Sequence, residues 1–403
     1  MQYPRIIDDR LLRLATHFPA VVVTGARQAG KTTLMRATFP DHHYVSLDLP
    51  TTADQAERNP DAFLHHHPAP VLIDEVQYAP GLFRHLKAAI DERRHDMGRY
   101  ILTGSQNFTL MKGISDSLAG RCGIVELENL ALHEINAVTP PGDDAASLAG
   151  LMARGQFPEL WRAPEVPAAD FFASYLATYL ERDVRQILNV ASLRDFERFV
   201  RVLAARSAAM LNKSDVARDT GVAVKTIGEW VSVLEASGQV VVLEPWHVSF
   251  GKRVVKTPKV YFRDSGLLCF LLGLDASTLL TSPALGAVWE TFVFAEMRKL
   301  NEAESAPVNF WYYRDQRGQE VDFVRDAGGV LGFMECKWSE RPTLRDARGL
   351  LRVSAGLAAS NSPWRPGPHY VIGRPASSHS LGEGVAAVAL RDLPAIVSGN
   401  PLA

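Results

Sequence analysis

Two hydrophobic rhythms alternate along the first third of the chain. Short β-branched or apolar runs such as VVVT, HYVS, VLID and YILT are separated by segments whose apolar residues recur at helical spacing. Residues 3–18 read as an amphipathic helix, VVVTG as the first strand and 31–38 as the next helix. HYVSLDL is a second strand, ending at Asp48 and Leu49, and TTADQAERNPDAFLHHH should be helix and loop. Its His65, His66 and His67 are consecutive and do not face one point, which marks a solvated turn rather than a metal site. PVLIDEVQ carries an apolar run closed by Asp74 and Glu75, the pattern of a buried parallel strand with acids at its carboxyl end. LFRHLKAAIDERR is a helix, RYILTGSQN a strand ending in Thr103, Ser105 and Asn107, and GIVEL a further short strand. Strands alternating with helices predict an α/β domain with a parallel sheet.

The rhythm changes at TPPGDDAASLAG, residues 139–150, where the first boundary is placed. FFASYLATYLERDVRQIL is a helix whose charged end, Glu181, Arg182, Asp183 and Arg185, reads first as a solvated face and otherwise as one that reaches the nucleotide of a neighbouring subunit. After a further helix, DFERFVRVLAARSA, the chain reads helix, turn, helix, strand. Ser214 caps the first helix, Gly221 permits the turn, 224–237 is the second helix, Gly238 ends it and QVVVLEPW follows as a strand. The exposed positions of the second helix offer Lys225, Thr226 and Glu229, and the following wing, GKRVVKTPK, offers Lys252, Arg253, Lys256 and Lys259. Next come KVYFRD, an apolar helix and the long helix LGAVWETFVFAEMRKLN. Three strands follow, NFWYYRD, QEVDFVRD and VLGFMECKW, the last two joined by a hairpin at Ala327, Gly328 and Gly329. On the last strand Glu335 and Lys337 share a face, and Asp322 lies on the adjacent hairpin strand. The expected division is 1–140, 151–258 and 259–403.

The first strand leads directly into chemistry. From Gly25 to Thr32 the chain reads G-x-x-x-x-G-K-T, between a strand and a helix. Gly25 and Gly30 let the backbone turn so that the amides of Ala26, Arg27, Gln28, Ala29 and Gly30 point inward at phosphate oxygens. The helix adds its positive dipole end through Lys31, Thr32 and Thr33. Lys31 supplies a point charge for the β- and γ-phosphates, and Thr32 and Asp74 are the candidate magnesium ligands. Glu75 is placed to polarise an attacking water. The predicted ligands are therefore ATP and Mg2+.

Composition narrows the partners. At 403 residues the chain exceeds one ordinary core, and 47% hydrophobic with 22% charged residues describes a soluble globular protein. A net charge of −2 gives no global basic field, so contact with DNA has to come from a local patch. Cys122, Cys269 and Cys336 lack metal-ligand spacing and read as reduced thiols of a cytoplasmic protein. The amino terminus lacks a signal-peptide core, and the apolar run 267–274 is too short to cross a bilayer, so no membrane partner is expected.

At GARQAGKT, VLIDE, LTGS and the EVDFV/ECKW pair the chain resembles a bacterial and archaeal group of AAA+ ATPases. In that group an AAA domain is fused to a domain of uncharacterised function, DUF4143. The resemblance implies a P-loop NTPase that hydrolyses ATP, with Ser105, beside Thr103 and Asn107, as its γ-phosphate sensor. It also implies Arg121 as an arginine finger or second γ-phosphate sensor. The middle resembles winged-helix DNA-binding domains, which implies a helical and winged-helix connector. Asp322 and Glu335-x-Lys337, with Glu290 on the preceding helix, resemble the PD-(D/E)xK nucleases. That implies a restriction-endonuclease-like α/β domain whose carboxylates hold a second Mg2+ or Mn2+ while Lys337 positions the attacking hydroxide. Two classes of function follow. One is an ATP-driven enzyme acting on DNA. The other is a nucleotide-dependent switch that binds a protein partner, or further copies of itself, through an inactive nuclease-like fold. The four basic wing residues favour the first, and the bare second helix and the net charge favour the second.

Overall fold

The computed structural model describes residues 3–105, 117–179, 193–246 and 255–399. The chain forms two compact units. The first gathers Met1–Leu130, Phe157–Arg162 and Ala236–Gln239, and the second Ala131–Gln156, Ala163–Glu235 and Val240–Ala403.

In the first unit the apolar runs become strands β1 (Ala20–Thr24), β2 (His43–Ser46), β3 (Val71–Asp74), β4 (Tyr100–Thr103) and β5 (Cys122–Glu126). They form one sheet in the order β2-β3-β4-β1-β5, and every pairing is parallel. All five residues of β1 and all four of β3 are buried, which is why their sequences lack alternation. Val22, Val45, Val71, Ile73 and Leu102 pack with Leu82, Phe83, Leu86 and Ile90 of the helix Leu82–Glu92. The amino-terminal helix is shorter than its apolar spacing suggests, running Asp8–His17. Parallel register brings every carboxyl end to one edge, so Thr24, Ser46, Asp74, Thr103 and Glu126 collect there.

The second unit holds two sheets. Strands β6 (Ala209–Met210), β7 (Val240–Leu243) and β8 (Lys259–Phe262) form a three-stranded antiparallel sheet with β8 in the centre. The helix Leu193–Ala204 sets Phe196 and Phe199 against Trp230 of the helix Val224–Ala236, with ring centroids 5.1 and 5.3 Å apart. Gly221 and Gly238, at φ +72° and +70°, end the two helices of the turn as expected. The cap differs: Asn212, not Ser214, accepts the amides of Ser214 and Asp215 to start the helix Lys213–Thr220. The expected boundary at 258/259 falls inside this sheet, because β8 begins at Lys259 and pairs with β7.

Strands β9 (Asn309–Arg314), β10 (Glu320–Ala327), β11 (Val330–Cys336), β12 (Arg365–Ile372), β13 (His379–Gly382) and β14 (Val385–Val388) make a six-stranded sheet ordered β13-β14-β12-β11-β10-β9. One face packs Val321, Val324, Leu331 and Phe333 on Leu350, Val353 and Leu357 of the helix Arg348–Ala358. On the long helix Leu285–Ala303, Phe294 stacks on Phe323 at 5.0 Å. The two sheets are stitched at β9. Trp246 donates its amide to Tyr312 O at 2.7 Å, Val255 donates to Arg314 O at 2.9 Å, and the Tyr312 hydroxyl donates to Thr257 O. Both described arms of the expected wing therefore lie along the edge strand. Asn107, the charged run 181–185, Lys252 and Arg253 fall outside the described residues. No described helix is long and apolar enough to cross a membrane.

Candidate functional site

At the end of β1 the chain turns at Gly25, φ +138°, where a Cβ would collide with the carbonyl oxygen of Leu127. Gln28 and Gly30 are also left-handed, at φ +63° and +92°, and Gly30 immediately precedes the helix Lys31–Thr38. Lys31 is 6% exposed, and its ammonium donates to Gly25 O at 2.9 Å and Ala26 O at 2.8 Å, which holds it across the mouth of the loop. Ala29 is buried, Ala26 and Arg27 are half-buried, and Gln28 and Thr33 are exposed. Arg5, which sequence reasoning passed over, clamps this loop from outside. Its guanidinium donates to Ala29 O at 3.0 Å and to Glu128 O at 2.6 Å.

The acids of β3 meet the loop across β4. Asp74 is 4% exposed, and one carboxylate oxygen accepts the Thr32 hydroxyl at 2.8 Å and the Tyr44 hydroxyl at 3.0 Å. Its other oxygen accepts the Thr103 hydroxyl. Burial, reinforced by the Asp74 charge, raises the pKa of Tyr44 and keeps that phenol a donor. Glu75 takes a left-handed φ of +56°, unusual for a non-glycine residue, and its amide donates to the Thr103 hydroxyl at 3.4 Å. Its carboxylate accepts the Ser105 hydroxyl at 3.0 Å and the Gln77 amide. Lys31, Thr32, Asp74, Glu75, Thr103 and Ser105 thus converge at one edge. A hydroxyl and a carboxylate at 2.8 Å are hard oxygen donors of the kind that suit the magnesium of a bound nucleotide.

Arg121 does not join them. Its carbonyl accepts the amide of Ala20, the first residue of β1, so it lies at the opposite edge, about 16 Å away at a strand's rise per residue. Both ends of its guanidinium pair with Asp91, at 2.7 and 2.9 Å. Parallel register explains the misplacement: Arg121 precedes its strand, whereas the loop follows one. Arg121 is removed as a sensor in its own chain.

The nuclease-like residues do come together, in company that sequence reasoning did not foresee. Lys259, expected on an exposed basic wing, is 2% exposed among carboxylates. Its ammonium lies 2.6 Å from Glu320, 3.1 Å from Glu290 and 3.8 Å from Asp322. Tyr261, on the same face of β8, donates its hydroxyl to Glu290 at 2.6 Å. The other Asp322 oxygen accepts the Cys336 amide at 2.9 Å, and Glu335 accepts Lys337 at 2.7 Å. Burial, then the charge of Asp322, pushes Glu290 up to about 7 and Glu335 up to about 8. Burial alone would lower Lys259, but Glu290, Asp322 and Glu320 carry it above its ordinary value. The Lys259 ammonium already stands where these carboxylates meet, and no metal-ligand group of His, Cys, Asp and Glu occurs among the described residues. The donor set does not fit the second Mg2+ or Mn2+ that the resemblance implied. The alternation of KVYF was the available signal, since it puts Lys259 and Tyr261 together on one face of a strand.

Residues 17–136 match a family described as an AAA domain, 145–278 match domain of unknown function DUF8612, and 285–393 match domain of unknown function DUF4143. Uncharacterized proteins of Mycobacterium bovis and Mycobacterium tuberculosis are each 33% identical over 353 residues, which is 87% of this chain and 77% of theirs. Among solved structures, the Walker-type ATPase of Pyrococcus abyssi shares 14% identity, covering 67% of this chain and 96% of its own, with a TM-score of 0.45. The RuvB Holliday junction branch migration motor of Thermotoga maritima shares 19%, covering 59% and 89%, with a TM-score of 0.32. Overlaps that loose do not bear on activity.

Proposed function

Because the chain belongs to the AAA-domain proteins that carry a DUF4143 domain, we propose that it hydrolyses Mg-ATP and uses the cycle to control binding of a partner by its second unit. The Thr32–Asp74 contact of 2.8 Å, at the mouth of the loop that Lys31 spans, carries this reading. On binding, the Lys31 ammonium leaves the loop carbonyls for the β- and γ-phosphates, and amides from Gly25 to Thr33 receive phosphate oxygens. Thr32 and Asp74 hold the magnesium of the substrate, which supplies charge neutralisation as the γ-phosphoryl group departs. Glu75, held by Ser105 and Gln77, orients water against that group. The division 1–140, 151–258 and 259–403 is kept as a proposal for the sequence, although Phe157–Arg162 and Ala236–Gln239 belong to the first compact unit and β7 pairs with β8 across 258/259.

The test is ATP binding and turnover by the purified chain. Lys31→Ala should lose nucleotide binding, and binding like the wild type would sink the site assignment. Glu75→Gln should keep binding and lose turnover by roughly a hundredfold or more, the contribution of a general base. Turnover near wild type would take Glu75 out of the mechanism.

A second reading has DNA as the partner. The two helices that meet at Gly221 favour it, because a winged helix would present Val224–Ala236 to a groove. Lys225 of that helix is 90% exposed, but Glu229 stands 4.0 Å from it and Glu235 is exposed on the same helix. With Lys259 buried and the described wing arms laid along β9, we rank a protein partner first. DNA-stimulated turnover would reverse that order.

A further inference from the structure

The nuclease-like cluster already contains a cation. We propose that Lys259 is a tethered counter-ion that closes the Glu290–Asp322 cluster to divalent metal and makes it a weld between the three-stranded and six-stranded sheets, not a hydrolytic centre. Three carboxylates from two elements, Glu290 on the long helix and Glu320 and Asp322 on β10, lie within 4.0 Å of one ammonium. A hard dication held by Glu290 Oε1 and Asp322 Oδ1, at a little over 2 Å from each, would crowd an ammonium that lies 3.1 and 3.8 Å from those same oxygens. Two cations at that spacing in a buried site repel strongly.

The lysine is anchored at its backbone and buried at its head. It opens the central strand of its sheet, paired to Met210 on one side and Leu243 on the other. The Tyr312 ring covers its ammonium, with the centroid 5.5 Å away. The Lys259 backbone is therefore fixed on both flanks, so the ammonium has only its own side-chain torsions to move by. Two further cations stand at the rim of the cluster: Glu320 also pairs with Arg314 at 2.5 Å, and Glu335 pairs with Lys337 at 2.7 Å. Lys259, Arg314 and Lys337 thus offset all but one of the four carboxylates, which leaves little negative charge to recruit a divalent ion.

The experiment is a Mn2+ titration of the full chain without nucleotide, followed by electron paramagnetic resonance. Wild type and Asp322→Asn should bind Mn2+ alike. Lys259→Met should gain a saturable site at least tenfold tighter than any in the wild type, lost again when Asp322→Asn is added. Lys259→Arg should stay closed. A wild-type Mn2+ site abolished by Asp322→Asn would overturn the proposal, as would a folded Lys259→Met chain with no gained site. If Lys259→Met does not fold, the comparison of wild type with Asp322→Asn decides alone.

Discussion

Single residues set the geometry of the nucleotide edge, and Arg5 is the least obvious of them. It reaches Ala29 O and Glu128 O and so fixes the loop against the exit of β5. Arg5→Ala should raise KM for ATP by several-fold to about tenfold, the loss expected of one or two charge-assisted hydrogen bonds. Steady-state kinetics should show kcat falling much less, and an equal fall in both would mean that Arg5 acts in the chemical step. The loop, Asp74 and Glu75 were legible because their signals are local: consecutive residues, a strand before and a helix after. Arg5, Tyr44 and Lys259 were not, because each gains its meaning from residues 24 or more positions away. Arg121 misled for the same reason. Its neighbours in sequence suit a sensor, and only register shows which end of the sheet it occupies.

At the scale of elements, helices and strands were legible and their ends less so. Asn212 and Ser214 are both good capping residues two positions apart, and sequence cannot rank them. The difference is measurable. Asn212→Ala should destabilise the second unit by about 1 kcal/mol in thermal or denaturant unfolding, while Ser214→Ala should stay within about 0.5 kcal/mol. The carboxylates between the sheets give a second prediction. Glu290 and Glu335, raised to about 7 and about 8, bind protons in the folded chain that they release when unfolded. Their contribution is full below the ordinary carboxylate range and is lost as pH rises through the folded values. The melting temperature of the second unit should fall between about pH 5 and about pH 8, and Glu335→Gln should flatten that slope. An unchanged slope in Glu335→Gln would place the proton elsewhere.

The whole molecule is less modular than its family matches suggest. The first unit takes in Phe157–Arg162 and Ala236–Gln239, well beyond the AAA match ending at 136. The first of those segments matters to the nucleotide loop: Tyr3 donates to Trp161 O at 3.0 Å, and a Cβ on Gly30 would stand 3.8 Å from Pro158. A fragment ending at residue 140 should therefore bind ATP more weakly than the full chain and melt lower, as nucleotide titration and calorimetry would show. Equal affinity would mean that these returning segments are passengers.

The stitch along β9 has a mechanical side. A domain joined by a flexible linker swings freely and passes on almost none of the force applied to it. Here Trp246 and Val255 share hydrogen bonds with Tyr312 and Arg314, so a pull on the helices around Gly221 loads a backbone ladder along its length. Such a ladder gives way only when several bonds fail together, so the paired helices behave as a lever arm rather than a weight on a string.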